Sequence, residues 1–204
     1  EDGIRDRSPS RVLGDVYKRQ DKTMPIWGAT DSDESKPKHL TTAQKKEVYA
    51  NASGWVVEAG STQSGNSNTS ADPEILVAIG SLATSLGAAD ITEIDWITTA
   101  ADKSDGFSLS VRVFFNEPVD VSTSGGTPYL AITNGNEGSG SGRGPHNLPY
   151  ASGTGTNELV FTLAIAADNA ATNADDVLSV GTNAMALNSG TIKDAGTSDN
   201  ATIT

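Results

Sequence analysis

His39 and His146 are the only side chains of this 204-residue chain that ordinarily titrate near neutrality. They stand far apart in the sequence, each in a polar stretch. A metal pair or an acid–base pair would need the fold to bring them together, and isolated surface histidines are much commoner. The chain has no cysteine, which removes thiolate nucleophiles, thiolate metal sites and disulfides. No Ser-His-Asp, paired-acid or Cys-His pattern is readable, so no catalytic residue is assigned and an enzyme is not expected. The carboxylates Asp168, Asp175, Asp176, Asp194 and Asp199 fall in segments that read as loops. Oxygen-rich loops suit calcium, which takes six to eight oxygen ligands. The EF-hand spacing is absent, however, and Asp and Asn also cap turns with their own side chains. No cofactor is assigned, and calcium stays the open alternative.

The run Gly135-Asn136-Glu137-Gly138-Ser139-Gly140-Ser141-Gly142-Arg143-Gly144 has the glycine content of a phosphate-cradling loop. It lacks the Gly-Lys-Ser/Thr ending and no helical pattern follows, so it reads as a hairpin tip. Tips on rigid sheets often carry recognition, which makes Arg143 and His146 candidates for contact with a partner. Trp27, Trp55 and Trp96 would form a sugar-stacking set if exposed together. Trp55 and Trp96 lie inside strand patterns and are expected in a core. Trp27, beside Pro25, is expected to anchor against a partner.

Charge bounds the partners. The chain carries 14 Lys and Arg against 26 Asp and Glu, net −12. Residues 1–23 are nearly balanced, so the remainder is net −13. A body this acidic is repelled by phosphate backbones, so no nucleic-acid partner is expected. No apolar run approaches the roughly 18 residues that span a bilayer, so no membrane insertion is expected.

Three segments differ in grammar. Residues 1–23 show no periodicity and no signal-peptide core, and read as a disordered or non-native tail. They resemble translated sequencing-adapter read-through, which would make Met24 the start. Residues 24–87 read as a small N-terminal module. Thr41 or Thr42 caps a helix through residue 50, and residues 54–59 read as a strand around Trp55. Residues 72–86 support two readings. Asp72, Pro73 and Glu74 open a helix with Ile75, Ile79, Leu82 and Leu86 on one face. Ile75, Val77 and Ile79 also alternate up to Gly80, as a strand paired with residues 55–59 would. The strand is carried forward. Gly87-Ala88-Ala89 reads as a linker.

Residues 90–204 read as mainly β. Phe107, Leu109, Val111, Val113 and Phe115 alternate with more polar positions, and Leu159, Phe161, Leu163 and Ile165 repeat the pattern. Further short strands are expected at residues 91–98, 129–133, 148–151, 177–180, 184–187 with 191–193, and 201–204. About seven strands with turn signals every 8–12 residues is the expectation for an Ig-like antiparallel β-sandwich.

Three stretches carry a family likeness. Val119-Asp120-Val121-Ser122-Thr123-Ser124-Gly125-Gly126-Thr127-Pro128, Tyr150-Ala151-Ser152-Gly153-Thr154-Gly155-Thr156 and Ala184-Met185-Ala186-Leu187-Asn188-Ser189-Gly190-Thr191-Ile192-Lys193-Asp194-Ala195 resemble a bacterial Ig-like repeat over residues 90–204. Pro25-Ile26-Trp27-Gly28, Lys36-Pro37-Lys38, the strand around Trp55 and Glu74-Ile75-Leu76-Val77-Ala78-Ile79 resemble virion structural proteins of contractile-tailed marine phages, cyanophages especially. The second resemblance implies a non-enzymatic virion component such as a capsid decoration. Its module at 24–87 would dock on other virion proteins, and its Ig-like domain would face outward toward host-surface glycans. The first resemblance alone implies the alternative, a fragment of a bacterial surface adhesin.

Overall fold

The computed structural model describes residues 36–37, 39–136, 145–167, 172 and 176–204. The tail at 1–23, Trp27 and Arg143 lie outside them, as do Asp168 and Asp175. The described chain is mainly β, with antiparallel strands in two sheets.

The smaller sheet is built from β1 (Val48–Asn51), β2 (Gly54–Val57) and β3 (Glu74–Ala78), in that order. A short helix, α1 (Thr42–Lys46), precedes it. Thr41 caps that helix: Gln44 N donates to Thr41 Oγ1 at 3.3 Å, and Thr41 N donates to Gln44 Oε1 at 3.0 Å. This reciprocal box satisfies two backbone donors that the first turn leaves free. The sequence predicts that the helix continues through Ala50, and the structure corrects this. The segment turns at Glu47 and runs on as β1, with Val48 opposite Val57 and Ala50 opposite Trp55. Full burial of Val48, Tyr49 and Ala50 against β2 outweighs the small helix propensity of those residues.

The ambiguous segment contains both expected elements in succession. Residues 74–78 form β3, paired with β2 as the alternation predicts. Gly80 breaks the run, and α2 (Leu82–Leu86) follows from Ser81. Val48, Ala50, Trp55, Val57 and Leu82 close a core of their own, with Leu76, Val77 and Ile79 packed against it. Gly54 makes the close approach of β2 and β3 feasible. Its φ is 133°, and a β-carbon there would overlap the Val77 carbonyl oxygen.

The larger sheet has seven strands: β4 (Ile91–Trp96), β5 (Phe107–Ser122), β6 (Tyr129–Asn136), β7 (His146–Ser152), β8 (Thr156–Ile165), β9 (Asp176–Ala186) and β10 (Thr191–Asp194). Their order is β10-β5-β8-β7-β6-β9, with β4 also paired to β5. The sheet curls so that one face encloses a single core. β7 makes the bend, pairing with β6 through Pro149 and with β8 from Tyr150 onward. The core holds Leu109, Val111, Val113, Phe115, Leu130, Ile132, Leu148, Leu159 and Phe161, all at most 1 % exposed. The alternation in β5 and β8 is what turns these side chains to one side.

Several expectations change here. Residues 177–180 and 184–186 belong to one strand, β9. Residues 201–204 form no strand; Thr202 makes an isolated bridge to Asp90. Ala89, read as linker, is fully buried in the larger core, and its carbonyl accepts from Thr202 N at 2.8 Å. The polar face of β5 is not solvated throughout. Phe114 and Asn116 are both buried, and β1 packs against β5. Two of the quoted motifs also meet in space. A β-carbon at Gly125 would overlap the Ser189 carbonyl oxygen, and Asn188 Nδ2 donates to the Thr127 carbonyl at 3.2 Å. The 123–128 turn is therefore seated on the 188–190 turn.

Candidate functional site at the junction of the two sheets

Where α1 and β1 meet β4, β5 and β8, the structure holds a polar cleft of about 280 Å³. Lys46, at the end of α1, reaches across to β4. Its Nζ lies 2.7 Å from Asp95 Oδ2 and 2.9 Å from Glu93 Oε1. Glu93 and Asp95 both come from β4, so one ammonium spans two carboxylates. The hydrogen bonds to Asp95 and then Glu93 hold the Lys46 ammonium above its ordinary pKa. Asn157 Nδ2 approaches the Lys46 carbonyl at 3.5 Å. Behind the helix, Lys36 Nζ donates to the Lys45 carbonyl at 2.7 Å, and burial lowers its pKa to about 8.

The floor of the cleft comes from β5. The Arg112 guanidinium lies 5.5 Å from the centre of the Phe114 ring and 3.7 Å from Glu158 Oε1. Arg112 covers Phe114, which explains why an apolar ring on the outward face is only 6 % exposed. On the opposite wall, Tyr49 Oη donates to Glu58 Oε1 at 2.6 Å. Burial, then this bond, raises the Tyr49 pKa far above its ordinary value. Arg112 Nε and Ser61 Oγ line the cleft as buried atoms with no hydrogen-bond partner among the described residues. The lining has no histidine and no cysteine. It offers donors, acceptors and charge, the groups that hold a polar partner.

The ionic bridge is half-exposed and its strength follows from that. Exposed pairs contribute from tenths to about 1 kcal/mol and are screened by salt. Lys46→Ala is expected to lower stability by no more than about 1 kcal/mol in dilute buffer. The deficit should vanish in about 1 M salt, where the screening length is ~3 Å. Urea unfolding at both salt levels checks this, and a deficit that persists at high salt would contradict an ionic role.

The residues singled out in the sequence are placed elsewhere. His146 opens β7 and is 6 % exposed, so the reading of an exposed tip histidine available for contact is corrected. Its ring takes an inward position of β7, with Nε2 3.4 Å from Asn134 Nδ2 and 3.4 Å from Thr172 Oγ1. Burial lowers its pKa, against the pull of the Asp176 carboxylate. His39 lies exposed ahead of α1. Trp55 is wholly buried, and its Nε1 has no acceptor among the described residues. Trp96 is partly buried against the larger core, beside Phe107, Leu109 and Leu178. The core reading of both tryptophans therefore describes their positions.

Among the carboxylates considered for calcium, Asp176 begins β9 and Asp199 is exposed. Asp194 is fully buried, and its Oδ1 accepts from Gly196 N at 2.6 Å and Thr197 N at 2.8 Å. That is turn capping. Among the described residues, no group of three or more His, Asp or Glu side chains stands together as metal ligands. No helix among them is long and apolar enough to cross a membrane. Compared with protein-family models, curated proteins and solved structures, the chain matches none.

Proposed function

We propose that this chain is a non-enzymatic virion structural protein, a capsid decoration in which a small N-terminal module docks on the particle and presents an Ig-like domain. The observation that supports the reading best is the junction. A three-stranded unit with its own core packs through β1 against the outer face of β5 and is bridged to β4 by Lys46, Glu93 and Asp95. Such a clamp sets the direction in which one unit projects from the other, which a display protein requires and a flexible tether does not supply. Seven antiparallel strands around one core agree with the Ig-like resemblance of residues 90–204. The acidity of that region, 14 acidic against four basic residues, would keep neighbouring copies from aggregating on a crowded surface.

Trp27 is the proposed anchor to neighbouring virion proteins. Trp27→Ala is expected to reduce the copies retained on particles severalfold while leaving the isolated protein folded, as read by quantitative gel densitometry and circular dichroism. Unchanged occupancy would remove Trp27 from the docking role. Flanking genes for secretion rather than for capsid and tail would favour the adhesin instead.

A further inference from the structure

Two carboxyl side chains are buried side by side at one end of the larger sheet. Glu117 is 1 % exposed and Asp194 is 0 % exposed. Glu117 occupies the inward register of β5, between Phe115 and Val119, and Asp194 occupies the inward register of β10, two residues after Ile192. The strands are paired there, with Asp194 opposite Val119. Asp194 Oδ1 is engaged by the two turn amides, whereas Asp194 Oδ2 and both Glu117 oxygens have no hydrogen-bond donor among the described residues. The titratable side chains acting on Glu117 are Asp194 on β10 and Asp90 at the lead-in to β4, and both are acids.

Two adjacent carboxylates this deeply buried cannot both stay ionised at reasonable cost. A single proton removes the repulsion and supplies the missing donor, as in paired-acid sites. We infer that Glu117 and Asp194 share one proton, and that this proton fastens the end of the sheet where the N-terminal module is attached. The surrounding bonds are those of the attachment. Asp90 N donates to Asn116 Oδ1 at 2.8 Å, Asn116 N donates to the Asp90 carbonyl at 3.0 Å, and Ala195 N donates to the Pro118 carbonyl at 3.0 Å. Helix α2 touches the same place: the Ala83 methyl lies 3.7 Å from where a β-carbon of Gly196 would stand. Loss of the proton leaves repelling charges beneath this attachment.

Burial, then Asp194 and Asp90, raises the Glu117 pKa to about 8. The unfolded chain releases that proton near the ordinary Glu value of about 4.3. Between those values the folded state binds more protons than the unfolded state, so this pair's contribution to stability falls as pH rises and levels off above about 8.

Glu117→Gln places a permanent amide donor beside Asp194. Its melting temperature minus that of the natural chain is expected to grow by roughly 5 °C between pH 6 and pH 9. Cleavage of the natural chain at residues 87–89 by a dilute protease should rise over the same range and stay constant in the variant. A temperature difference that does not change with pH would overturn the shared proton. A melting temperature raised by millimolar calcium at pH 8 in the natural chain, and not in Glu117→Gln, would overturn it in favour of a cation. The ¹³C carboxyl resonance of Glu117 in the natural chain is a second readout that needs no variant. A midpoint near 8 supports the inference, and one near 4 to 5 refutes it.

Discussion

Phe161→Ala is expected to lower the unfolding free energy by about 3–5 kcal/mol, enough to leave the larger sheet largely unfolded at 37 °C. Phe161 is fully buried in the middle of β8. It is paired with Val111 on β5 and with Tyr150 on β7, so it touches both sides of the bend in the sheet. Its ring meets Tyr150 edge to face, with centroids 6.1 Å apart and planes at 73°. Such a pair adds about 0.5–1.5 kcal/mol beyond area burial. Truncation removes the ring and leaves a cavity bounded by paired strands, which cannot collapse without breaking ladder bonds. Urea unfolding followed by far-ultraviolet circular dichroism should show the midpoint shifting strongly with an unchanged slope. A loss below about 1.5 kcal/mol would mean that the bend is held by backbone pairing and not by this ring.

Trp55→Ala is expected to unfold the three-stranded unit while leaving the seven-stranded sheet in place. Five buried residues form that smaller core, and Trp55 is the largest of them. A unit this small has little stability to lose, and removing an indole costs about 3–5 kcal/mol. The two cores are separate, and the bridge from Lys46 to Glu93 and Asp95 is too weak to hold the strands together alone. Amide exchange resolves the outcome. Protection should disappear across residues 48–57 and 74–78 and persist across residues 107–115 and 156–165. Simultaneous loss of both would show that the chain folds as one cooperative unit. Trp55→Phe should cost much less, because it keeps most of the apolar area and removes an indole N–H that has no acceptor among the described residues.

The alternations at residues 107–115 and 159–165 were sufficient to place β5 and β8, because burial on one face leaves a period of two in the residue types. Residues 48–50 misled for the opposite reason. A capped helix start is a local signal, whereas the pairing of Val48 and Ala50 with β2 depends on residues further along the chain. His146 looked like a loop residue because glycines precede it, yet β7 begins at that position. The junction cleft left no sequence signature, since Lys46, Asp95, Arg112 and Glu158 are ordinary charged residues until the fold gathers them.

The buried acid pair did leave a trace. Continuing the inward register of β5 from Val111, Val113 and Phe115 gives Glu117 before Val119. An acid in an apolar register calls for a partner, and Asp194 holds the matching place after Ile192 on β10.

Mass spectrometry of gradient-purified marine virus particles tests the proposed function most directly. Peptides from residues 39–204 are expected in the particle band, at the abundance of a structural protein and in proportion to the capsid protein. The same peptides recovered only from bacterial cell-surface fractions, with none in the particle band, would contradict it.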